Sequence, residues 1–122
     1  MSYKIIVAGG RDFADYEKLK QKLNYLFQNE PYCFTDDIEI VSGTARGADQ
    51  LGERYAQECH MPIKRFPADW DLYGKRAGYI RNEQMAKYAD SCVVFWDGKS
   101  KGTKMMIDLA KQYKLALMIV RY

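Results

Sequence analysis

This sequence of 122 residues is poor in the residues that carry metal, disulfide and histidine chemistry. It has a single histidine, His60, and three widely spaced cysteines with no C-x-x-C pair. One histidine cannot build a histidine-rich metal site, and a histidine-based catalytic triad would depend on this lone residue. An odd number of scattered cysteines favours reduced thiols over a disulfide framework. We therefore expect no metal site and no cofactor.

Long apolar runs are also missing. The first stretch of consecutive apolar residues, 5–8, ends at Gly9, whereas a secretory signal needs a longer run and a membrane helix needs roughly 20 residues. Nineteen Lys and Arg against 16 Asp and Glu leave a net charge of +3, which is too small to indicate a protein that coats DNA. We expect one cytoplasmic domain over residues 1–122 that has no membrane partner.

Short continuous apolar runs, which predict strands, alternate along the whole chain with segments whose apolar residues recur at helical spacing. The run at residues 4–8 predicts a buried strand that ends in a tight turn at Gly9 and Gly10. Further strands are predicted at residues 38–41, 63–66, 92–96 and 115–120. Helices are predicted from residue 16 to Pro31, from residue 48, over 75–89 and over 103–114, with a long loop at 68–74.

This order of elements predicts an α/β fold. Because crossovers between parallel strands are right-handed, helices come to lie on both faces of the sheet. We expect a Rossmann-like doubly wound three-layer sandwich with a five-stranded, mainly parallel sheet. Ligands of such folds collect at the carboxyl ends of the strands, where the strand order reverses.

Three of the five strands end in loops marked by glycine, and these loops are the predicted ligand site. Glycine lets the backbone approach an anion closely, and the helix that follows offers unpaired N–H groups and the positive end of its dipole. Arginine in two of the loops can hold a phosphate bidentately, and Lys99, Lys101 and Lys104 add charge near the third. The predicted contacts in these loops are Gly9, Gly10 and Arg11, then Ser42, Gly43, Ala45, Arg46, Gly47 and Asp49, and finally Gly102 and Thr103.

A fourth element, residues 73–82, adds Arg81 and Asn82 to the predicted site. Gly78 lies one helical turn before these residues and leaves their face accessible to a ligand. Trp70 and Tyr73 precede this element and could stack on a base, although core packing is the more frequent role of a single aromatic residue.

Two common nucleotide-binding motifs are absent. The run Gly9-Gly10-Arg11-Asp12-Phe13 is not G-x-G-x-x-G, and the chain has no G-x-x-x-x-G-K-[ST]. Their absence excludes a standard dinucleotide-dependent dehydrogenase and a P-loop NTPase.

The ordered set of motifs resembles the YspA-like branch of the SLOG superfamily over nearly the whole chain. This set comprises Ala8-Gly9-Gly10-Arg11-Asp12-Phe13, Val41-Ser42-Gly43-Thr44-Ala45-Arg46-Gly47-Ala48-Asp49, Gly74-Lys75-Arg76-Ala77-Gly78 with Arg81-Asn82, and Gly102-Thr103. The superfamily includes the Rossmann-like module of the DNA-processing protein Smf/DprA and the LOG phosphoribohydrolases. The resemblance implies a pocket for a nucleotide or a nucleotide derivative, such as ADP-ribose, formed by these loops.

The sequence departs from the LOG enzymes at one decisive position. Their motif P-G-G-x-G-T-x-x-E carries a glutamate that acts at the glycosidic bond, and aligning it on Gly102-Thr103 places Met106 there. A thioether cannot stabilise an oxocarbenium-like centre or move a proton. Catalytic residues are therefore unassigned, although other carboxylates (Asp12, Asp49, Asp69 and Asp71) could lie near the pocket.

Three functions remain open at this point. The first is binding or sensing of a nucleotide-derived small molecule, the second is hydrolysis of its N-glycosidic or phosphate bonds, and the third is a DprA-like role on single-stranded nucleic acid. Ten tyrosines, six methionines and two tryptophans are many large side chains for so small an interior. We therefore also expect a homodimer in which helices pack beside the pocket, with Met105 at the contact.

Overall fold

The computed structural model describes residues 2–29 and 37–122, and five strands form one sheet within them. The expected strands are all present. Every neighbouring pair is parallel, so the sheet is wholly rather than mainly parallel. The strands are β1 (Ser2–Gly9), β2 (Asp37–Ser42), β3 (Ile63–Arg65), β4 (Ser91–Trp96) and β5 (Ala116–Arg121).

Helices follow the strands as the apolar periodicity predicts. The Asp15 carboxylate accepts a hydrogen bond from the Lys18 amide at 3.1 Å and so caps the first helix, and Leu19 and Leu23 of its stripe are fully buried. The expected stop at Pro31 lies outside the described residues. The helices are α1 (Tyr16–Asn29), α2 (Ala48–Glu58), α3 (Trp70–Tyr73), α4 (Ala77–Tyr88) and α5 (Lys101–Gln112).

The predicted loop at 68–74 and the predicted starts of α4 and α5 are wrong. The expected loop at 68–74 contains the one-turn helix α3, because the Asp69 carboxylate accepts a hydrogen bond from the Leu72 amide at 3.1 Å. A 3-10 turn at Gly74–Arg76 follows it, so α4 begins at Ala77. Helix α5 begins two residues before the predicted Thr103, since Ser100 takes the N-cap position.

The alternation of side chains along the strands divides the core into two layers. Ile5 and Val7 of β1 pack with α1 and α2 on one face of the sheet. Ile6 and Ala8 pack with α4 and α5 on the other face. This is the predicted three-layer sandwich.

The strand order is β3-β2-β1-β4-β5. The chain winds outward from β1 through β2 and β3, then crosses to β4 on the other side of β1. The order therefore reverses between β1 and β4, and the loops that leave these two strands are free to separate and form a crevice.

Candidate phosphate-binding site

A cavity of about 670 Å³ opens at the carboxyl ends of β1 and β4, where the strand order reverses. We call it the large cavity. Its walls come from the loop after β1, the loop after β4 with the start of α5, and one face of α4. Nine of the predicted site residues line it: Gly9, Gly10, Arg11, Ala45, Asp49, Arg81, Asn82, Gly102 and Thr103.

A second cavity of about 270 Å³, the small cavity, lies beside the loop after β2. The predicted residues Gly43 and Arg46 line it, and neither of them lines the large cavity. The two cavities have a common wall, because four residues line both: Arg11, Ala45, Trp70 and Arg81.

The glycines of the first two loops allow close backbone contacts. A Cβ atom on Gly47 would lie 2.2 Å from the Gly10 carbonyl oxygen, and Gly47 has a φ of +80° that L-residues rarely adopt. The Ala48 amide donates to the same Gly10 oxygen at 3.2 Å. Gly47 lines neither cavity. It therefore holds the loop after β1 against the start of α2.

The loop after β2 is held by buried polar side chains. Ser42 is fully buried, and its hydroxyl donates to Glu53 at 2.6 Å and accepts from the Thr44 amide at 3.0 Å. These bonds accompany a left-handed φ of +64° at Thr44. Ser42, which the sequence places among the ligand contacts, lines neither cavity and shapes the loop instead.

Asp49, which lines the large cavity, and Arg81, which lies on the common wall, carry opposite charges. Burial raises the pKa of Asp49 to about 6, while the Ala45 amide and the charge of Arg81 oppose this shift. The Arg81 guanidinium donates to the Gly43 carbonyl and, through Nε, to Asn82 Oδ1 at 2.8 Å. Burial lowers the pKa of Arg81, as does the nearby charge of Arg11, whereas Asp49 raises it.

The start of α5 presents backbone to the large cavity. Ser100 Oγ accepts from the Thr103 amide at 3.5 Å, and Asp97 accepts from the amides of Lys99 and Ser100 at 2.8 Å each. Gly102 leaves open space above the first turn, since a Cβ there would meet nothing within 4 Å. The three nearby lysines expected to add charge (Lys99, Lys101 and Lys104) line neither cavity, and Lys104 pairs with Asp108 at 2.6 Å.

Three aromatic residues of α3 and α4 are exposed, namely Trp70, Tyr73 and Tyr79. Trp70 is 52% exposed and Tyr73 41%, so core packing was the wrong interpretation of these two residues. Trp70 lies on the common wall, and its ring edge would be 3.6 Å from a Cβ on Gly78. Tyr79, in the first turn of α4, is 41% exposed and also lines the large cavity.

Several lining residues were not predicted from the sequence. Asp97 and Ser100 line the large cavity, and the preference of serine for N-cap positions was the signal that could have found Ser100. Met106 lines the cavity too, at the position of the glutamate in the LOG motif. Of the other carboxylates considered, Asp12 and Asp49 line the large cavity, and Asp69 and Asp71 do not.

The described residues contain neither a candidate metal cluster nor a helix that could span a membrane. Across 2–29 and 37–122, no three His, Cys, Asp or Glu side chains cluster in a way that could hold a metal ion. In the same ranges, no helix has both the length and the apolar character needed to cross a membrane.

Comparison with known proteins agrees with this architecture. Residues 3–73 match the model of the YspA, cpYpsA-related SLOG family, which includes the loops after β1 and β2. Gene 61 protein of Mycobacterium phage D29 is 31% identical, over 83% of this chain and 82% of that protein.

A solved structure shares the fold. DNA processing protein A from Helicobacter pylori, studied for its mode of single-stranded DNA binding, superposes with a TM-score of 0.67 at 20% identity. The match covers 96% of this chain and 64% of the other, so this chain spans somewhat less than two thirds of that protein. At this level of identity the likeness is one of fold.

Proposed function

The chain belongs to the YspA, cpYpsA-related SLOG family, and we propose that it binds a nucleotide-derived small molecule through its phosphates in the large cavity. One observation carries this proposal. Glycine loops, the start of α5 and the cations Arg11 and Arg81 meet around a single cavity where the strand order reverses.

The backbone at this point suits an anion. Helix α5 is 12 residues long, so its N-terminus carries the positive end of a full dipole. Gly102 exposes the first turn, and Gly9 and Gly10 place further backbone on the opposite wall. The Gly10 amide already donates to the Phe95 carbonyl at 3.0 Å, so a phosphate here would meet the amides at the start of α5 together with the Arg11 side chain.

The size and lining of the cavity suit a nucleotide. Ligand pockets of about 300–1,000 Å³ hold molecules of this class, and the large cavity measures about 670 Å³. Apolar groups from Met85, Met105 and Met106 lie beside the polar ones. Met85 and Met106 are buried and Met105 is half-buried, so a base or sugar can contact Met105 while the phosphate faces Arg11.

Calorimetric titration with AMP and ADP tests the proposal. Arg11 is exposed and makes no hydrogen bond through its side chain to another described residue, so Arg11→Ala should leave the fold intact. Loss of one charge-assisted contact should weaken binding by about tenfold to a hundredfold. Arg54→Ala removes the same charge from α2, outside both cavities, and should bind like wild type. Failure of wild type to bind either nucleotide at millimolar concentration would overturn the proposal.

A second candidate function is binding of single-stranded nucleic acid. Trp70, Tyr73 and Tyr79 are exposed beside the large cavity, and the exposed cations Lys75 and Arg76 lie between them in the chain. Aromatic rings interleaved with cations can stack bases and hold the backbone. The structural relative from Helicobacter pylori, which binds single-stranded DNA, adds to this reading.

Fluorescence anisotropy with a labelled oligothymidine separates the two candidates. If nucleic acid is the partner, Trp70→Ala should weaken binding, and affinity should fall steeply as salt is raised. Undetectable oligonucleotide binding at low salt, in a protein that binds AMP, would leave only the small-molecule function.

A further inference from the structure

We propose that the outer edge of β5 is a docking site for an extended, acidic segment of a partner protein, which would pair with β5 as an additional strand. A groove of about 330 Å³, which we call the edge groove, lies between this edge and α1. It shares no lining residue with the large or the small cavity, so this inference is independent of the proposed function. The edge groove is lined by Lys18, Lys22 and Tyr25 of α1 and by residues 118–121 of β5.

The backbone of β5 is paired on one side only. β5 ends the strand order, and its neighbour is β4. The Ala116 amide donates toward β4, to the Asp90 carbonyl at 3.3 Å. Because the backbone groups of successive residues alternate between the two sides of a strand, those of Leu117 and Ile119 point outward. In the described part of the chain no strand pairs with them, and they can therefore bond an added strand.

The two edges of the sheet differ in how they are protected against such pairing. At the opposite edge, β3 has only three residues, and two of them, Lys64 and Arg65, are charged. Short length and charge are the usual means of blocking strand addition. β5 has six residues, no proline, and a charge only at Arg121. Its Ile119 is 40% exposed. An edge of this length and apolar character favours pairing with another strand.

The charges of the edge groove select an acidic partner. Lys18 Nζ donates to the Arg121 carbonyl at 3.0 Å, which holds this ammonium group against the strand edge. Lys22 lies one turn further along α1, is exposed, and forms no ion pair with a described residue. No aspartate or glutamate lines the groove. A second copy of this chain would bring the same cations toward one another, whereas carboxylates would complement them.

The two faces of β5 determine the sequence pattern of the docked segment. Met118 and Val120 pack on the α1 face of the sheet, where the lysines lie. Leu117 packs on the α5 face, and by alternation Ile119 shares that face. Side chains of an added strand would therefore lie in turn beside the lysines and beside Leu117 and Ile119. We expect a segment in which acidic and apolar residues alternate, with affinity from the backbone bonds and specificity from the side chains.

Fluorescence anisotropy with a labelled peptide of alternating glutamate and valine tests the docking site. Wild type should bind this peptide and should not bind a peptide that has lysine in place of each glutamate. Methylation of every backbone nitrogen of the acidic peptide removes its N–H donors but keeps all its charges. The methylated peptide should not bind, because strand addition needs these donors.

Protein variants place the peptide at β5. Lys22→Glu should weaken binding by about tenfold at low ionic strength. The matched control is Lys64→Glu, which makes the same change on an exposed residue at the opposite edge and should bind like wild type. Ile119→Pro removes an outward amide, which an edge strand tolerates better than an inward one, and should abolish binding. Thermal melts check that each variant is folded, and the methylated peptide gives the same test without changing the protein.

Several results would overturn the docking site. They are undetectable binding of the acidic peptide to wild type at millimolar protein concentration, equal affinities of Lys22→Glu and Lys64→Glu, and binding of the methylated peptide as tight as that of its parent. A drop in the mass of the assembly caused by Ile119→Pro would assign the edge to a second copy of the chain instead. None of these outcomes bears on AMP binding in the large cavity, so the proposed function is tested separately.

Discussion

The carboxylate of Asp49 accepts a hydrogen bond of 3.2 Å from the Ala45 amide, and Asp49 is only 5% exposed. This bond connects the first turn of α2 to the loop after β2. The carboxylate also lies near Arg81, which donates to the Gly43 carbonyl of the same loop. The shape of the predicted phosphate loop thus depends on a charge that burial disfavours.

The first prediction concerns the pH dependence of stability. Because the pKa of Asp49 rises from 3.8 to about 6 on folding, the folded state binds an extra proton between these values, and stability falls as pH rises through this window. Asp49→Asn keeps an acceptor for Ala45 and removes the charge. Relative to wild type, its free energy of unfolding should increase between pH 4 and pH 7 by on the order of 2–3 kcal/mol.

Urea denaturation at a series of pH values measures this difference. Asp108→Asn serves as the control, since Asp108 is an exposed aspartate on α5. A constant difference between Asp49→Asn and wild type across this range would contradict the prediction.

The second prediction concerns contact between Gly10 and Tyr122. The Tyr122 hydroxyl donates to Asp12 at 2.6 Å, and its ring packs 4.8 Å from that of Phe13. A Cβ on Gly10 would lie 1.8 Å from this hydroxyl. Gly10→Ala should therefore destabilise the protein by about 1–3 kcal/mol, the usual cost of overpacking.

A double-mutant cycle isolates the contact. Tyr122→Phe removes the atom that the new methyl group meets, so the cost of Gly10→Ala should be smaller in the Tyr122→Phe background by about 0.5 kcal/mol or more. Urea melts of the four proteins give the coupling free energy. Additive effects would show that the Tyr122 hydroxyl does not limit space at Gly10.

The strands and the long helices were predictable because their signals are local. The apolar residues from Tyr16 to Phe27 recur at helical spacing, and the short continuous apolar run at 92–96 is typical of a buried strand. Helix α3 was missed because four residues are too short for a stripe, and it depends on a cap from Asp69. Because residues 68–74 were predicted to form a loop, the exposure of Trp70 was not predicted either.

The loops that line the large cavity were predictable from the sequence, but the individual side chains that face it were not. Glycine after a strand predicted the backbone walls formed by Gly9, Gly10 and Gly102. Sequence alone does not tell which polar groups face inward, so the roles of Ser42 and Gly47 in shaping the loops emerged only from their contacts. The common wall depends on residues 70 and 81 meeting residue 11, and no local pattern encodes such a contact.

The third prediction is that the protein does not release free base from nucleoside monophosphates. Met106 lines the large cavity where the LOG motif has glutamate, and the carboxylates there already bond the protein. Asp12 accepts from Tyr122, Asp49 from Ala45, and Asp97 from two amides that lower its pKa. Incubation with AMP, GMP and CMP, followed by chromatography, should show no adenine, guanine or cytosine. Turnover near a typical enzyme rate of about 10 s⁻¹ would instead favour the hydrolase.

The last prediction concerns assembly, where we propose a homodimer formed by helix surfaces beside the large cavity. Met105, expected at this contact, packs partly against its own core and lines the cavity. The exposed apolar side chains nearby belong to α3 and α4: Leu72 is 67% exposed, and Tyr73 and Tyr79 are 41% exposed each. Clustered aromatic and aliphatic groups of this kind mark interfaces more often than open surface.

Light scattering coupled to gel filtration at micromolar concentration measures the mass of the assembly. Wild type should show about twice the chain mass of 14.2 kDa, and Leu72→Glu should approach the mass of one chain, because a charge in the centre of an apolar contact is costly to bury. Ile119→Glu makes a comparable change on the edge strand β5 and should leave the dimer intact. A wild-type mass near one chain would refute the dimer. Dissociation by Ile119→Glu but not by Leu72→Glu would move the interface to β5, away from the cavity.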